Sequence, residues 1–403
     1  MTSATEGRTS VPRGFGLTLA LSMGAGPLAL YALTATSPVV TADLGLSRAQ
    51  FGTFATAAFL AAAAFSPFVG RCADLFSARM VLAVLFTGAG MAIGGVALAP
   101  SYPWLLVAVV VCGAVQALSN PVTNQLIAAR VPAGRRGSLM GVKQSGVQMC
   151  QFAAGLALPG IAVAFGWRGA AAVAAIAAVA GLLLVPGTVP AGDATPAPRA
   201  ARRTADLPAS VWWLAGYALL TGAGLQATNV YLPLYSFERL DMSVRVAGLT
   251  AATVGGVGLV ARIGWGRAAE RMREPRRPLL LLATVSGLAA CALLGAEQLG
   301  LPWVVWVAAA LFGASGIAAN VVVMLVLIRI SPIQVVGTAS GVLAVGLYIG
   351  FALGPLSFGL LVDHTGSYSV GWLAVVSVYL AAGVLSLVWR AQSTSPRELA
   401  EAI

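Results

Sequence analysis

Charge is what this chain has least of. Only 9% of its 403 residues are Asp, Glu, Lys or Arg, 59% are hydrophobic, and the mean hydropathy is +0.88. A soluble protein would carry about a quarter charged residues, so lipid must solvate most of this surface. Acid is scarcer than base, with 13 Asp and Glu against 24 Lys and Arg and a net charge of +11. Every acidic residue falls in a loop, a terminus or a helix end, and no carboxylate is expected at mid-membrane. There is one histidine, His364, at the outer end of an apolar run, and one lysine, Lys143. A nucleophile, base and orienter cannot be assembled from this inventory, which excludes an enzyme. No Walker A motif is present, so nothing on this chain drives a nucleotide-powered pump. The four cysteines (Cys72, Cys112, Cys150 and Cys291) lie in or beside apolar runs without metal-ligand or disulfide spacing. No metal or cofactor is expected. The basic residues sit in short turns, and no basic face alternates with aromatics, so nucleic acid is not an expected partner.

What is present is long apolar runs. A spanning helix needs roughly 20 mainly apolar residues, and twelve such segments can be placed: 14–37, 48–69, 79–99, 103–128, 138–164, 168–189, 209–237, 245–267, 277–297, 301–329, 336–362 and 367–389. The first is long enough to span and is read as a retained helix, not a signal peptide. A Pro-, Ala- and Arg-rich linker, 190–208, divides the chain into six-helix bundles at 1–189 and 209–403. With the N-terminus inside, 18 arginines fall on the cytoplasmic side and four (Arg48, Arg168, Arg239 and Arg245) on the other. That bias predicts a multi-pass inner-membrane protein with both termini cytoplasmic. Prolines 38, 121, 159, 233 and 355 are expected to kink helices near a cavity.

The halves repeat. Gly113, Asn120, Pro132, Gly137, Gly141, Gly146 and Gly166 are matched 200 residues on by Gly313, Asn320, Pro332, Gly337, Gly341, Gly346 and Gly366. Such repetition fixes the architecture. Lys143 is not copied; its counterpart is Leu343.

After the second run comes Gly70-Arg71-Cys72-Ala73-Asp74-Leu75-Phe76-Ser77-Ala78-Arg79. This resembles the cytoplasmic loop signature of the major facilitator superfamily, GxLADRxGRR, with Gly70, Ala73, Asp74 and Arg79 matching and Leu75 and Ser77 departing. A second copy, Gly266-Arg267-Ala268-Ala269-Glu270-Arg271, follows the eighth run. The resemblance covers the whole chain. It implies two six-helix bundles around a central cavity that faces each side in turn, and no soluble sensor domain. It further implies that Asp74, with Gly70, Arg79, Gly266 and Glu270 around it, gates the cytoplasmic side.

Two cations lie inside runs. Arg262 is about five residues from the end of its run and Lys143 about five from the start of its own, placing both roughly 7–8 Å deep from one side. Two readings stand for each: a contact to an anionic substrate, or a long side chain snorkelling to the interface. Resemblance to monocarboxylate and oxalate/formate carriers, which place a substrate-binding arginine in helix 8, supports Arg262. The run Gly141-x-Lys143-Gln144-x-Gly146 with Gly166-Trp167-Arg168 is similar to cyanate-permease-type facilitators. Tyr31, Asn120, Gln144, Gln226, Asn229, Asn320 and Tyr348 are the further polar candidates for a cavity wall, joined on the seventh helix by Tyr231 or Tyr235. Asn120 and Asn320, as repeat mates, also suit hydrogen bonding between helices. The leading reading is a monomeric carrier of a small organic anion, with proton symport if the substrate carries the proton and facilitated diffusion as the simpler route. The alternative is an exporter of a drug-like or secondary metabolite, although a cavity without fixed negative charge suits cationic drugs poorly.

Overall fold

The computed structural model describes residues 12–189, 207–272, 274–331 and 335–389, all helix and short connections. The first bundle comprises α1 (Phe15–Ala35), α2 (Ser37–Leu44), α3 (Arg48–Leu75), α4 (Ala78–Ala97), α5 (Tyr102–Gln116), α6 (Ser119–Arg130) and α7 (Ala133–Thr188). The second comprises α8 (Ala209–Arg239), α9 (Val244–Arg271), α10 (Arg276–Gln298), α11 (Val304–Ile330), α12 (Val336–Thr365) and α13 (Tyr368–Val388). Among the described residues ten segments are long and apolar enough to cross a membrane. The 55-residue segment Gly134–Thr188 holds two spans, and α8, made more polar by Gln226 and Asn229, completes the twelve. The linker at 190–208 lies outside the described residues except for Leu207 and Pro208.

Several boundaries differ from the sequence reading, each for a local reason. The fourth span is two helices. Pro121 cannot donate to residue 117, and its ring crowds that carbonyl, so the ladder breaks between Gln116 and Ser119. The repeat position carries Val321, and α11 runs unbroken. The fifth and sixth spans abut with no loop. The break is Gly166 alone, at φ 74° and ψ 164°, a region closed to residues with a Cβ. Its mate Gly366, at φ 69°, caps α12. His364 therefore lies in the last turn of α12. Pro38 starts α2 after a break at Thr36, but Pro159, Pro233 and Pro355 lie within continuous helices and end none of them.

Just past Gly166 the turn is stapled. The Trp167 indole and the Arg168 guanidinium donate to Asp43 Oδ2 at 3.0 and 2.8 Å, and Arg168 also donates to Ala99 O. These contacts hold the Asp43 carboxyl below its usual range, Trp167 contributing most. The stability they give is present above the unfolded-state pKa and fades as pH falls below it.

The bundles meet along two pairs related by the repeat, α3 with α12 and α7 with α9. At the Arg48 end these pairs are in backbone contact. A Cβ on Gly52 would lie 2.6 Å from Pro355 O, one on Gly359 2.6 Å from Arg48 O, and one on Gly155 2.4 Å from Ala252 N. Asp363 caps α3 across the interface, accepting from the N–H groups of Arg48 (3.0 Å) and Ala49 (2.8 Å). Arg48 and the Tyr368 hydroxyl both donate to Glu238 Oε2, at 2.9 and 2.8 Å. At the opposite end, a Cβ on Gly141, Gly264, Gly266 or Gly341 would meet nothing within 4 Å. There α6 and α11 pack chiefly within their own bundles. The molecule is closed at the Arg48 end and parted at the other.

Candidate functional site

Between the bundles lies a cavity of about 150 Å³ whose wall draws on both. Of the nine side chains expected from sequence, eight line it: Tyr31 from α1, Asn120 from α6, Gln144 from α7, Gln226 and Asn229 from α8, Arg262 from α9, Asn320 from α11 and Tyr348 from α12. Asn120 and Asn320 face it from opposite bundles, as the repeat requires. Met23, Phe59, Leu225 and Phe351 supply apolar wall. Gln116, Ser119 and Gln148 also line the cavity and were not among the nine.

Arg262 is the one charged group on this wall. Its Nη1 crosses the bundle interface to donate to Gln144 O (3.1 Å) and Gln148 Oε1 (2.6 Å), and its Nε donates to Ile317 O at 3.3 Å. All three acceptors are neutral. The guanidinium is thus oriented by dipoles, while its charge is compensated by no carboxylate in these contacts.

Lys143 lies elsewhere. It is 0% exposed, is absent from the cavity wall, and gives its ammonium to Asn124 Oδ1 on α6 at 2.5 Å. Gln144, one residue on and 100° around the helix, takes the cavity face instead. Both cations are farther from a helix end than the run boundaries suggested. Because α7 begins at Ala133 and α9 ends at Arg271, Lys143 is ten and Arg262 nine residues from its helix end. At 1.5 Å per residue that is about 14–15 Å from the helix end, and the hydrogen bonds of Lys143 to Asn124 and of Arg262 to Gln144, Gln148 and Ile317 direct both side chains into the protein.

The seventh-span tyrosines are not on the wall. Tyr231 lies toward the closed end, where its hydroxyl donates to Arg48 O (2.6 Å) and Pro355 O (3.1 Å), and Tyr235 donates to Leu293 O at 2.7 Å. Above the cavity on that side Gln151 Nε2 donates to Asn229 Oδ1 at 3.2 Å, joining α7 to α8.

The second signature copy is helical, and the first is helical up to Leu75 and breaks at Phe76 and Ser77 before α4. Gly70 to Leu75 forms the last turns of α3, and Gly266 to Arg271 those of α9. The Gly70, Asp74 and Glu270 positions lie outside the residues whose side chains are described. Arg79 is half-buried in the first turn of α4, which Ser77 caps by accepting from Met80 N at 3.3 Å.

A twelve-span pair of bundles with a central polar cavity is shared by several transporter families, and comparison decides among them. The profile described as Major Facilitator Superfamily matches residues 19–342. The chain belongs to that superfamily. Among curated relatives, the hexuronate transporter of Bacillus subtilis (strain 168) is 28% identical over 137 residues, which is 34% of this chain and 32% of that protein. The alignment therefore spans about a third of the relative's length. Among solved structures, nucleoside transporter NupG superposes with a TM-score of 0.74 at 13% identity, over 93% of this chain and 99% of its own. A bacterial homologue of the lysosomal transporter Spinster, in an inward-facing and occupied conformation, gives 0.73 at 18%, covering 95% and 97%. The D-xylose-proton symporter gives 0.73 at 17%, covering 94% and 97%. At these identities the likeness is one of fold. As a member of the superfamily the chain is a multi-pass membrane transporter of a small molecule and not an enzyme.

Proposed function

We propose that this transporter carries a small organic anion, a carboxylate, by alternating access. The reading rests on Arg262, a guanidinium about 14 Å from its helix end, on the cavity wall, with only neutral oxygens around it. An ionisable group at membrane depth is costly and is kept for function. A planar fork is the group that recognises a carboxylate through two parallel bonds. The partial likeness to a hexuronate transporter, by name a carrier of sugar acids, favours the same class. A cavity of about 150 Å³ is below the roughly 300–1,000 Å³ that drug-sized ligands occupy, which disfavours the exporter reading. Tyr31, Asn120, Gln144, Gln226, Asn229, Asn320 and Tyr348 form the remainder of the proposed contact set. Lys143 is left out of it, its ammonium being directed to Asn124. With no carboxylate relay expected, symport would use a proton bound by the substrate itself.

The arginine bias places the Arg48 end outside, so the cavity opens to the cytoplasm of an inner-membrane monomer with both termini inside. In that frame Asp74 and Arg79, with Gly70, Gly266 and Glu270, gate the cytoplasmic side. Asp74→Ala is expected to cut uptake severalfold at unchanged membrane abundance, and normal uptake at normal abundance would remove the gating role. The substrate class itself is tested by heat stability of the purified protein. Carboxylates should raise its melting temperature, whereas neutral sugars, nucleosides and cationic drugs should not. Stabilisation by neutral solutes and by no acid would overturn the reading.

A further inference from the structure

A guanidinium has five N–H groups and accepts nothing. In Arg262, Nε donates to Ile317 O, and Nη1 donates to both Gln144 O and Gln148 Oε1. The N–H groups of Nη2 have no acceptor among the described residues. A carboxylate meets a guanidinium through two parallel bonds from neighbouring nitrogens. Here Nε and Nη1 are each turned to a protein oxygen, so neither neighbouring pair is open. In this conformation Nη2 alone is left to an anion, and the second carboxylate oxygen needs a donor from another residue.

Gln148 is placed to supply it. It stands one turn from Gln144 on α7, and both line the cavity with Arg262. Its amide is oriented by chemistry: Arg262 can only donate, so the atom 2.6 Å from Nη1 must be the oxygen. The NH2 group then occupies the other branch of the amide, and it donates to no described residue. Nη2 and Nε2 are each one carbon away from the Nη1–Oε1 hydrogen bond. Other amides line the wall, but none of them is bonded to the guanidinium through its side chain.

We infer that Gln148 is a second anion-binding residue, and that a substrate carboxylate is held between Arg262 Nη2 of the second bundle and Gln148 Nε2 of the first. This rests on the anion reading of Arg262 and deepens it. The two oxygens of one carboxylate thereby touch both bundles at once. The guanidinium's own two-bond fork opens to the anion only once Nη1 leaves Gln144 O and Gln148 Oε1.

The test uses the full-length protein in detergent and four acids that share little beyond the carboxylate: acetate, lactate, benzoate and glucuronate. Affinities are read from the rise of the melting temperature with ligand concentration. Gln148→Met keeps the length of the side chain and removes its donor. It should weaken every acid that stabilises the wild type by about tenfold or more, the range of a hydrogen bond to a charged group. Gln148→Glu keeps the oxygen that Arg262 holds and replaces the donor with a second acceptor. It should remove acid binding without lowering the melting temperature of the unliganded protein, and covers the case in which the methionine variant fails to fold. A residue that only aimed the guanidinium would weaken binding too, so Gln148→Met is also made in Arg262→Lys, whose ammonium carries its donors on one rotating atom and needs no aiming. There it should weaken the acids further, by a comparable factor. Equal affinities of Arg262→Lys with and without Gln148→Met would mark an aiming role and overturn the inference. So would wild-type acid affinity in Gln148→Met or Gln148→Glu, with the anion reading left standing. Stabilisation of the wild type by no acid at all would overturn the anion reading, and this inference with it.

Discussion

Arg262→Ala should weaken carboxylate binding by about tenfold to a hundredfold, the loss expected when hydrogen bonds to a charged group of about 1.5–3 kcal/mol are removed. The measurement is uptake of a radiolabelled acid into vesicles containing the purified variant, alongside its heat stabilisation. Arg262→Lys should recover part of the loss, because the charge returns without the fork. The variant should still fold, since the three acceptors left behind include two backbone carbonyls, Gln144 O and Ile317 O, of residues that line the cavity. Wild-type uptake in the alanine variant would show that Arg262 serves only to hold α7, α9 and α11 together.

Gly155→Val should abolish transport while the protein still reaches the membrane. The added Cβ would lie 2.4 Å from Ala252 N and 2.9 Å from Gly248 O, both backbone atoms of α9 that cannot turn aside as a side chain can. Ordinary overpacking costs about 1–3 kcal/mol, and a cost near the upper end already shifts a two-state equilibrium about a hundredfold. The penalty falls only on the state in which α7 and α9 touch at the Arg48 end, so the population moves away from it. Thiol labelling of cysteines introduced beside Arg48 would report that end as open. Gly94→Val is the control, since a Cβ at Gly94 meets nothing within 4 Å. Wild-type transport by the Gly155 variant would mean that this close approach is not required in the cycle.

The twelve spans and eight of the cavity-wall residues were legible in the sequence for one reason. In a chain this apolar, a polar side chain within a span is costly, so Gln226, Asn229, Asn320 and Arg262 stand out wherever they occur. Helix ends were not legible. Ala133-Gly-Arg-Arg-Gly-Ser138 reads as a polar turn, yet it is the first turns of α7, because a helix can continue into water with polar residues. The helix ends from which Lys143 and Arg262 were counted were therefore set about 7 Å too close to them. Direction around a helix was also hidden: hydropathy cannot say whether Lys143 or Gln144 faces the cavity, since the choice depends on where α6 lies. Gln148 was not placed on the wall, although its spacing of four from Gln144 was a usable signal. Tyr231 or Tyr235 was expected at the cavity beside Gln226 and Asn229, whereas only packing against α3 and α10 shows that both hydroxyls meet a backbone carbonyl elsewhere.

The Arg262 contacts couple binding to the rate at which the bundles move. Through Gln144 O and Gln148 Oε1, Arg262 ties the second bundle to the first at the middle of the membrane. An anion that draws the guanidinium to itself competes for those same N–H groups. Occupancy therefore loosens a strut that an empty carrier keeps intact. Under the anion reading, the loaded protein should change sides faster than the empty one, and anion on the far side of a vesicle should accelerate efflux of labelled anion.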